Sequence, residues 1–338
     1  MRMQPSAGAL AYCGATIWRD KYALPVLGGH GNSHDDGGYA LDLVTGLWET
    51  IVAPTGLGTS TAAADALGEY AGGANRPASQ HTYAHLVTVG NDMVQVNGTA
   101  VGFAATGSKQ AHRWNHARGA WERYGRNSGG ISPNGGAFTH YDPVRNRLVR
   151  ISLYGSSGAI DTIPANSAAA DWSAQTISVA GRASHNIACA MGYHTGLDCY
   201  VLISPGEFTP RNRVFVMDPD NLRTGWVAVA VNGDMPPALS SPGLEYCPPM
   251  RAMVTVDHTA SDKLFYVKPT GGRTDPWIWS SEIFTGSSPS QSWANGLEFS
   301  GVYRRFVWSD LLRGFVMCKT AASHVEVYVP SEVAAYYS

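Results

Sequence analysis

A short template recurs six times along the 338 residues of this chain and constrains its fold more than any other feature. In each copy an aromatic or aliphatic residue is followed, seven positions later, by a second apolar residue. The six pairs are Ile17/Leu24, Leu86/Met93, Tyr141/Leu148, Tyr193/Tyr200, Tyr246/Met253 and Trp308/Phe315. Gly, Pro, Asn and Asp are frequent between the two members, as is typical of tight turns. Each copy therefore predicts a β-hairpin with a short loop.

A second element follows some of these hairpins. The segments YALDLVTGLW (39–48) and RWNHARGAW (113–121) share a strand that ends in Asp or Asn, a turn with Gly and a strand that begins at Trp. The corresponding residues are Asp42 and Asn115, Gly46 and Gly119, and Trp48 and Trp121. The segment 214–226 repeats the pattern with two extra residues and places Asp218 before Trp226. Two hairpins per copy predict a four-stranded antiparallel unit, and the three tryptophans are expected to pack between such units.

Successive copies begin at residues 17, 86, 141, 193, 246 and 308, which is 52 to 69 residues apart. Four-stranded units at a period near 50 are typical of a β-propeller. We therefore predict an all-β fold with one six-bladed propeller, with a degenerate seventh blade in 50–80 or 284–300 as the alternative. The predicted blades span approximately 7–51, 81–124, 136–177, 187–231, 242–285 and 298–338. The last copy supplies three strands, so residues 2–12 or 330–338 are candidates for its fourth.

The composition agrees with this fold and excludes several classes of function. Charged residues are 15% of the chain, against about 25% in an average soluble domain. Gly occurs 38 times and aromatic residues make up 10%, which favours many turns and a packed core over disorder. The net charge of -2 provides no field for nucleic acid. No apolar run reaches the roughly 18 residues of a membrane span, and no secretory signal peptide is visible.

The five cysteines predict neither a zinc site nor a disulfide framework. They are Cys13, Cys189, Cys199, Cys247 and Cys318. Their number is odd and no CxxC pair occurs. Each lies in or beside an apolar strand, where a free thiol behaves as a small buried hydrophobe. Only Cys189 and Cys199 are close enough in sequence to suggest a bond across one hairpin.

The segments GGHGNSHDDGGYALDLVTGLW, RPASQHTY and HRWNHARGAW resemble the kelch-like propellers, a group that includes galactose-oxidase-like domains. In kelch repeats a Gly-Gly pair ends the second strand, and a Tyr and a Trp follow at fixed spacing. Gly28-Gly29, Tyr39 and Trp48 match that order in the first copy. Later copies depart from it, with 96–98 and 267–269 in place of the glycine pair. The resemblance implies the propeller architecture, but not a function, because such folds serve as scaffolds, binding modules and enzymes.

Loop lengths predict a functional face. Turns inside the six hairpins are short and lie at one end of each blade, whereas the other end carries long loops, where function is commonly located. The candidate ligand-binding residues on the long-loop face are His30, His34, Asp35, Asp36, His81, Arg182 and His185. The first four have donor atoms for zinc or manganese, but a glycine-rich loop does not align both imidazoles as a helix does. Turn capping and ligand contact are the alternatives, and we predict neither a metal nor a cofactor.

His81 and Tyr83 suggest a catalytic alternative. A neutral His can accept a proton, a Tyr can donate one, and an Arg such as Arg76 can neutralise a carboxylate. This combination suits β-elimination on a uronic-acid polysaccharide, and some propeller polysaccharide lyases resemble it. The opposing interpretation is that His81 forms hydrogen bonds with backbone between blades.

Other catalytic motifs are absent from the sequence, including GxSxG, HExxH, GxxxxGK[ST] and an EF-hand loop. We therefore expect a non-catalytic binding or structural module that contacts a glycan or a protein surface. A signal-less propeller of this composition suits a bacteriophage virion, as tail or capsid decoration in contact with other virion proteins. The alternatives are the lyase with His81, Tyr83 and Arg76, and a cytoplasmic kelch-type scaffold for protein interactions.

Overall fold

The structure is a computed structural model of the chain. It describes residues 13–25, 37–54, 75–77, 80–82, 84–96, 99–100, 110–126, 137–152, 158–166, 173–177, 190–204, 213–237, 239, 242–256, 263–284, 302–318 and 325–338. The described strands form six small antiparallel sheets arranged as a six-bladed β-propeller. This confirms the predicted all-β class and six blades. The chain divides into two compact units, each with three blades.

The first unit contains three four-stranded blades. The first blade is β1 (Thr16–Trp18), β2 (Lys21–Leu24), β3 (Gly38–Asp42) and β4 (Trp48–Val52). A separate two-stranded ladder joins β5 (Gln80–His81) to β8 (Thr99–Ala100), and the second blade is β6 (Leu86–Val89), β7 (Asp92–Gln95), β9 (Gln110–Asn115) and β10 (Ala120–Arg126). The third blade is β11 (Ala137–Asp142), β12 (Arg147–Ser152), β13 (Gly158–Pro164) and β14 (Ser173–Ile177). Neighbouring strands within these blades run antiparallel, as in a propeller blade.

The second unit contains the other three blades and the described α-helix. The fourth blade is β15 (Ala190–His194), β16 (Cys199–Ile203), β17 (Val214–Met217) and β18 (Val227–Val229), with a 3-10 helix at Pro219–Thr224. The fifth is β20 (Gly243–Cys247), β21 (Ala252–Val256), β22 (Lys263–Pro269) and β23 (Trp277–Ile283), and β19 (Val231–Gly233) pairs with β23 in parallel. The sixth is β24 (Phe306–Ser309), β25 (Gly314–Cys318) and β26 (Val325–Tyr328), preceded by a 3-10 turn at Tyr303–Arg305 and followed by α1 (Ser331–Tyr337).

The end of the chain corrects one expectation. Residues 330–338 were a candidate closing strand, but Ser331–Tyr337 is helical. The reason is the burial of Val333, which is fully enclosed among residues of the fifth and sixth blades. The other candidate, residues 2–12, lies outside the described residues, so closure by the N-terminal strand stays a prediction.

The recurring apolar pairs explain the hairpins of the last four blades. Tyr141 faces Leu148, Tyr193 faces Tyr200, Tyr246 faces Met253 and Trp308 faces Phe315 in direct cross-strand register. In the first two blades the loops have two residues instead of four, and the pairs are offset. Ile17 faces Tyr22 and Leu86 faces Gln95. In the four-residue loops one further cross-strand pair lies inside each match. In the two-residue loops the residues seven apart that face each other are Thr16 with Ala23 and Val87 with Val94, so there the template pairs are out of register.

The four longer loops share one backbone feature. Their fourth residue has a positive φ: 46° at Asn146, 48° at Asp198, 51° at Arg251 and 50° at Arg313. This left-handed conformation is favourable for Gly and tolerated by Asn and Asp. Arginine has no such local preference, so the fifth and sixth blades carry a backbone cost that the third and fourth largely avoid.

Side chains at the ends of third strands explain the second hairpins. The Asp42 carboxylate accepts hydrogen bonds from the backbone N–H groups of Val44 and Thr45, at 3.0 and 2.8 Å. Asn115 accepts one from Arg118 N–H at 3.2 Å. These are Asx-type turns, in which a short side chain stands in for a backbone acceptor. The recurring Asp or Asn is therefore a turn-forming residue.

The cores lie between adjacent blades of the same unit. Trp121 and Trp114 of the second blade pack against Trp18 and Ala23 of the first, which confirms the predicted packing role of Trp121. Trp226 is also buried, whereas Trp48 is half-buried. In the second unit Trp277 and Trp279 of the fifth blade belong to the cluster shared with the fourth. Bulky rings fill the space between twisted sheets that diverge from one another.

Two further expectations concern cysteines and membranes. Among the described residues, four buried cysteines form no disulfide bond: Cys13, Cys199, Cys247 and Cys318. Cys199 thus forms no bond with Cys189, which itself lies outside the described residues. In the described part of the chain, no helix has the length and apolar character needed to cross a membrane.

Candidate functional site

The predicted ligand-binding residues lie almost wholly outside the described residues. These are His30, His34, Asp35, Asp36, Arg182 and His185, together with Tyr83 of the catalytic alternative. His81 is described only through its backbone, which pairs with Thr99 in the small ladder. Arg76 is half-buried, and its guanidinium donates a hydrogen bond to the Ala53 carbonyl oxygen at 3.3 Å. The described geometry brings none of these side chains together, and the predicted site stays a prediction.

A polar recess lies instead at the short-turn end of the fourth and fifth blades. Three turns of the second unit enclose it: the β15–β16 loop, the β20–β21 loop and the start of the β22–β23 loop. Its lining consists of His194, Gly196, Leu197, Met250, Arg251, Lys268, Pro269, Thr270 and Gly271. Its volume is about 370 Å³, within the range of roughly 300–1,000 Å³ seen for ligand pockets. The recess is large enough for one small polar group and part of the ligand that bears it.

His194 forms the inner part of the recess, and its hydrogen bonds hold the imidazole in one neutral tautomer. Its Nδ1 accepts a hydrogen bond from Leu197 N–H at 3.1 Å, so Nε2 carries the proton and donates to the Arg251 carbonyl oxygen at 3.3 Å. The side chain is 2% exposed, and burial lowers the pKa of His194 from 6.5 to about 4. At neutral pH this imidazole is uncharged and both nitrogens are already engaged with backbone.

Aromatic rings fix the position of His194. The Tyr246 ring lies 4.4 Å from the imidazole, centroid to centroid, and the Trp277 ring lies edge-on at 5.7 Å. The loop passes close to this stack: a Cβ at Gly196 would lie 2.8 Å from the Tyr246 hydroxyl. A side chain at position 196 would therefore force Tyr246 or the loop to shift. The inner wall of the recess is thus closely packed around His194.

Arg251 gives the recess its positive charge. It is exposed at the last position of the β20–β21 loop, with φ of 51°. Among the described residues, no hydrogen bond or ion pair engages its guanidinium. Arg313 has the same backbone conformation in the β24–β25 loop, but its guanidinium lies 4.0 Å from the centre of the Tyr337 ring. Arg313 therefore has a structural contact. Arg251 has no comparable contact with any described residue.

Lys268 is the second cation of the lining. Its ammonium group lies 2.5 Å from a carboxylate oxygen of Glu332 in α1, and its side chain is 30% exposed. It also lies 5.5 Å from the centre of the Tyr266 ring. The C-terminal helix thereby neutralises one of the two cations and leaves the other to the recess.

A larger cleft, of about 680 Å³, separates the fifth and sixth blades near α1. Its acidic groups have structural partners. Both carboxylate oxygens of Glu282 lie 3.2 Å from Ser331 N–H, and one accepts the Ser331 hydroxyl at 2.6 Å. The Tyr328 hydroxyl donates to the Glu326 carboxylate. These groups hold the helix against the blades.

The first unit contains a buried polar row that opens to no solvent. Thr139, Arg150 and Asp161 face one another across β11, β12 and β13, and an ion pair joins the last two. All three are fully buried, and a hydrogen bond of 3.0 Å connects Thr139 Oγ1 to His85 Nδ1 of the second blade. Burial lowers the pKa of the Arg150 guanidinium, and the charge of Asp161 opposes that shift. The row connects the third blade to His85 beside the first strand of the second blade.

Sequence reasoning missed the recess because its residues belong to turns that were interpreted only as turns. In sequence, CPPMR ends in Arg where the equivalent loop of the third blade has Asn, but the loop of the sixth blade also has Arg at that position, so the residue does not stand out. In the described part of the chain, no group of three or more His, Cys, Asp or Glu residues is arranged to hold a metal ion.

The fold defines the class of this chain as a six-bladed β-propeller. Comparison with family models and with curated proteins gives no match in either case.

Proposed function

We propose that this chain is a non-catalytic binding module of the β-propeller class, which contacts a glycan or a protein surface. The observation that supports this proposal best is the state of His194 in the recess between the fourth and fifth blades. Both of its ring nitrogens are engaged with backbone, so it has no lone pair with which to accept a proton from a substrate. The recess can therefore hold a polar group by shape and charge, without acid–base chemistry from this histidine.

The rigidity of the recess favours binding in a second way. A site that is ordered before the ligand arrives loses little conformational entropy on binding. The aromatic stack around His194 and the constrained glycine at 196 provide that order. The same proposal includes two further points. The chain is related to kelch-like propellers, as the residues Gly28-Gly29, Tyr39 and Trp48 suggest, and it is located on a bacteriophage particle.

Incubation of the full chain with a panel of acidic polysaccharides tests binding against catalysis. Retention of the protein on an immobilised glycan is measured in parallel with the ultraviolet absorbance of unsaturated uronate. We expect saturable retention and a flat absorbance trace. A rising trace that disappears in His81→Ala would overturn the proposal in favour of the lyase with His81, Tyr83 and Arg76. A flat trace with no retention on any glycan would remove glycans as the partner.

A further inference from the structure

We propose that the recess binds the carboxylate of an acidic saccharide through the Arg251 guanidinium. This inference rests on the proposed binding function and names its site and ligand class. The first support is the charge of the lining, which contains Arg251 and Lys268 and no Asp or Glu. Because Glu332 already pairs with Lys268, Arg251 is the cation left to attract an anionic group, and a guanidinium matches a planar carboxylate with two parallel hydrogen bonds.

The second support is the backbone of Arg251. A non-glycine residue at φ of 51° carries a backbone cost, and an arginine side chain does not lower this cost with a local hydrogen bond as Asn or Asp can. This conformation places the Arg251 side chain at the rim of the recess, where its guanidinium N–H groups donate no hydrogen bond to any described residue. Strained residues are concentrated at functional sites. Of the two arginines at this loop position, Arg313 has its guanidinium over the Tyr337 ring, whereas no described residue binds the Arg251 guanidinium.

The third support is the apolar part of the lining. Leu197, Met250 and Pro269 contribute side chains next to the charged rim. A sugar ring presents C–H groups on one face and a uronate carboxylate at its edge, so an apolar wall beside a cation fits both. Ligand pockets commonly combine such a wall with a few polar groups that fix orientation.

Glu332 modulates the site, since it holds the Lys268 ammonium at 2.5 Å. Removing its charge would leave Lys268 available to the ligand. The proposal therefore predicts two opposite effects from two substitutions. Arg251→Asn should weaken binding, and Glu332→Gln should strengthen it.

Titration calorimetry of the full chain with an oligoglucuronate measures both effects. We expect Arg251→Asn to raise Kd about tenfold or more, because a charge-assisted hydrogen-bond pair is lost. Asn is favourable at positive φ, so the variant should fold at least as well as the natural chain. Glu332→Gln should lower Kd a few-fold. Arg313→Asn is the matched control, since it removes one charge at the same backbone position outside the recess and should leave Kd unchanged.

Three ligands distinguish the chemistry. The oligoglucuronate should bind, its methyl ester should bind at least tenfold more weakly, and a sulfated neutral oligosaccharide should not bind more tightly than the uronate. Preference for the sulfate would overturn the carboxylate assignment. Equal Kd values for Arg251→Asn and the natural chain would overturn the recess as the site while leaving a binding module intact. No binding of any saccharide by the natural chain would overturn the glycan function itself.

Discussion

At the scale of single residues, the interior of the first unit contains charges that are costly to bury. Arg150 and Asp161 are both fully buried and lie opposite each other on neighbouring strands. A pair of this kind contributes little net stability relative to apolar residues, but removal of one partner leaves an uncompensated charge. The pair is therefore a constraint on strand register as much as a stabilising contact, because a shift of one residue would separate the two side chains.

Asp161→Asn should lower the free energy of unfolding by about 3 kcal/mol or more, since it leaves the Arg150 guanidinium buried without its counter-charge. The double variant Arg150→Met with Asp161→Leu should recover most of that loss. Urea denaturation of Arg150→Met, Asp161→Leu and their double variant measures the coupling. Strictly additive losses would show that the two side chains do not stabilise each other.

His194 predicts a pH dependence of stability. Its pKa is about 4 in the folded chain and near 6.5 when unfolded, so the unfolded state binds the proton more readily. The contribution of neutral His194 is fully present above about pH 6.5 and is lost as the pH falls towards 4, to a total on the order of 3 kcal/mol. Thermal melting between pH 7 and 4 should show this loss in the natural chain. In His194→Asn, which keeps an acceptor for Leu197 N–H and does not titrate, the slope should be shallower. Parallel melting curves would contradict the assignment.

At the scale of elements, α1 depends on its neighbours for existence. Seven residues are too few for a stable isolated helix in water. Pro330 provides no side-chain cap, and Glu282 of β23 instead accepts the Ser331 N–H. Val333 is enclosed between the fifth and sixth blades. The helix forms because two other elements supply its cap and its apolar contact.

Val333→Ala should lower the free energy of unfolding by about 2 kcal/mol, because a fully buried side chain loses two methyl groups and leaves a cavity. Glu332→Gln is the comparison on the same helix. It removes an exposed ion pair with Lys268 and should cost less than about 1 kcal/mol. Denaturant midpoints of the two variants test this, and a smaller loss for Val333→Ala than for Glu332→Gln would contradict the packing of α1.

At the scale of the whole molecule, the buried thiols of both units predict chemical protection. Burial raises the pKa of Cys199 and of Cys247 to about 12, so neither is a thiolate at neutral pH. Iodoacetamide at pH 8 should leave Cys13, Cys199, Cys247 and Cys318 unmodified in the native chain and label all four in urea. Peptide mass spectrometry reports each site separately. Rapid labelling of Cys199 in the native chain would show that the fourth blade opens locally.

The sequence by itself determined the blade plan of this molecule. Turn residues and apolar pairs at a period near 50 predicted six antiparallel units, because hairpin formation depends on local turn chemistry and on alternation along neighbouring strands. The packing role of Trp121 followed from the same repeat. The burial of the described thiols followed from apolar surroundings that are visible along the chain. These properties are local, so a linear sequence specifies them.

Only the tertiary structure decided the features that depend on contacts between residues far apart in the sequence. The pairing of Arg150 with Asp161, the helix at 331–337 and the recess that joins His194, Arg251 and Lys268 all depend on residues from different hairpins or strands. Residues 330–338 have no periodicity that excludes a strand, and the helix is selected by burial of Val333 against two blades together with the cap from Glu282. The arginine at the end of CPPMR is an ordinary turn residue in sequence. The neutral histidine of another blade comes beside it only once the blades have packed.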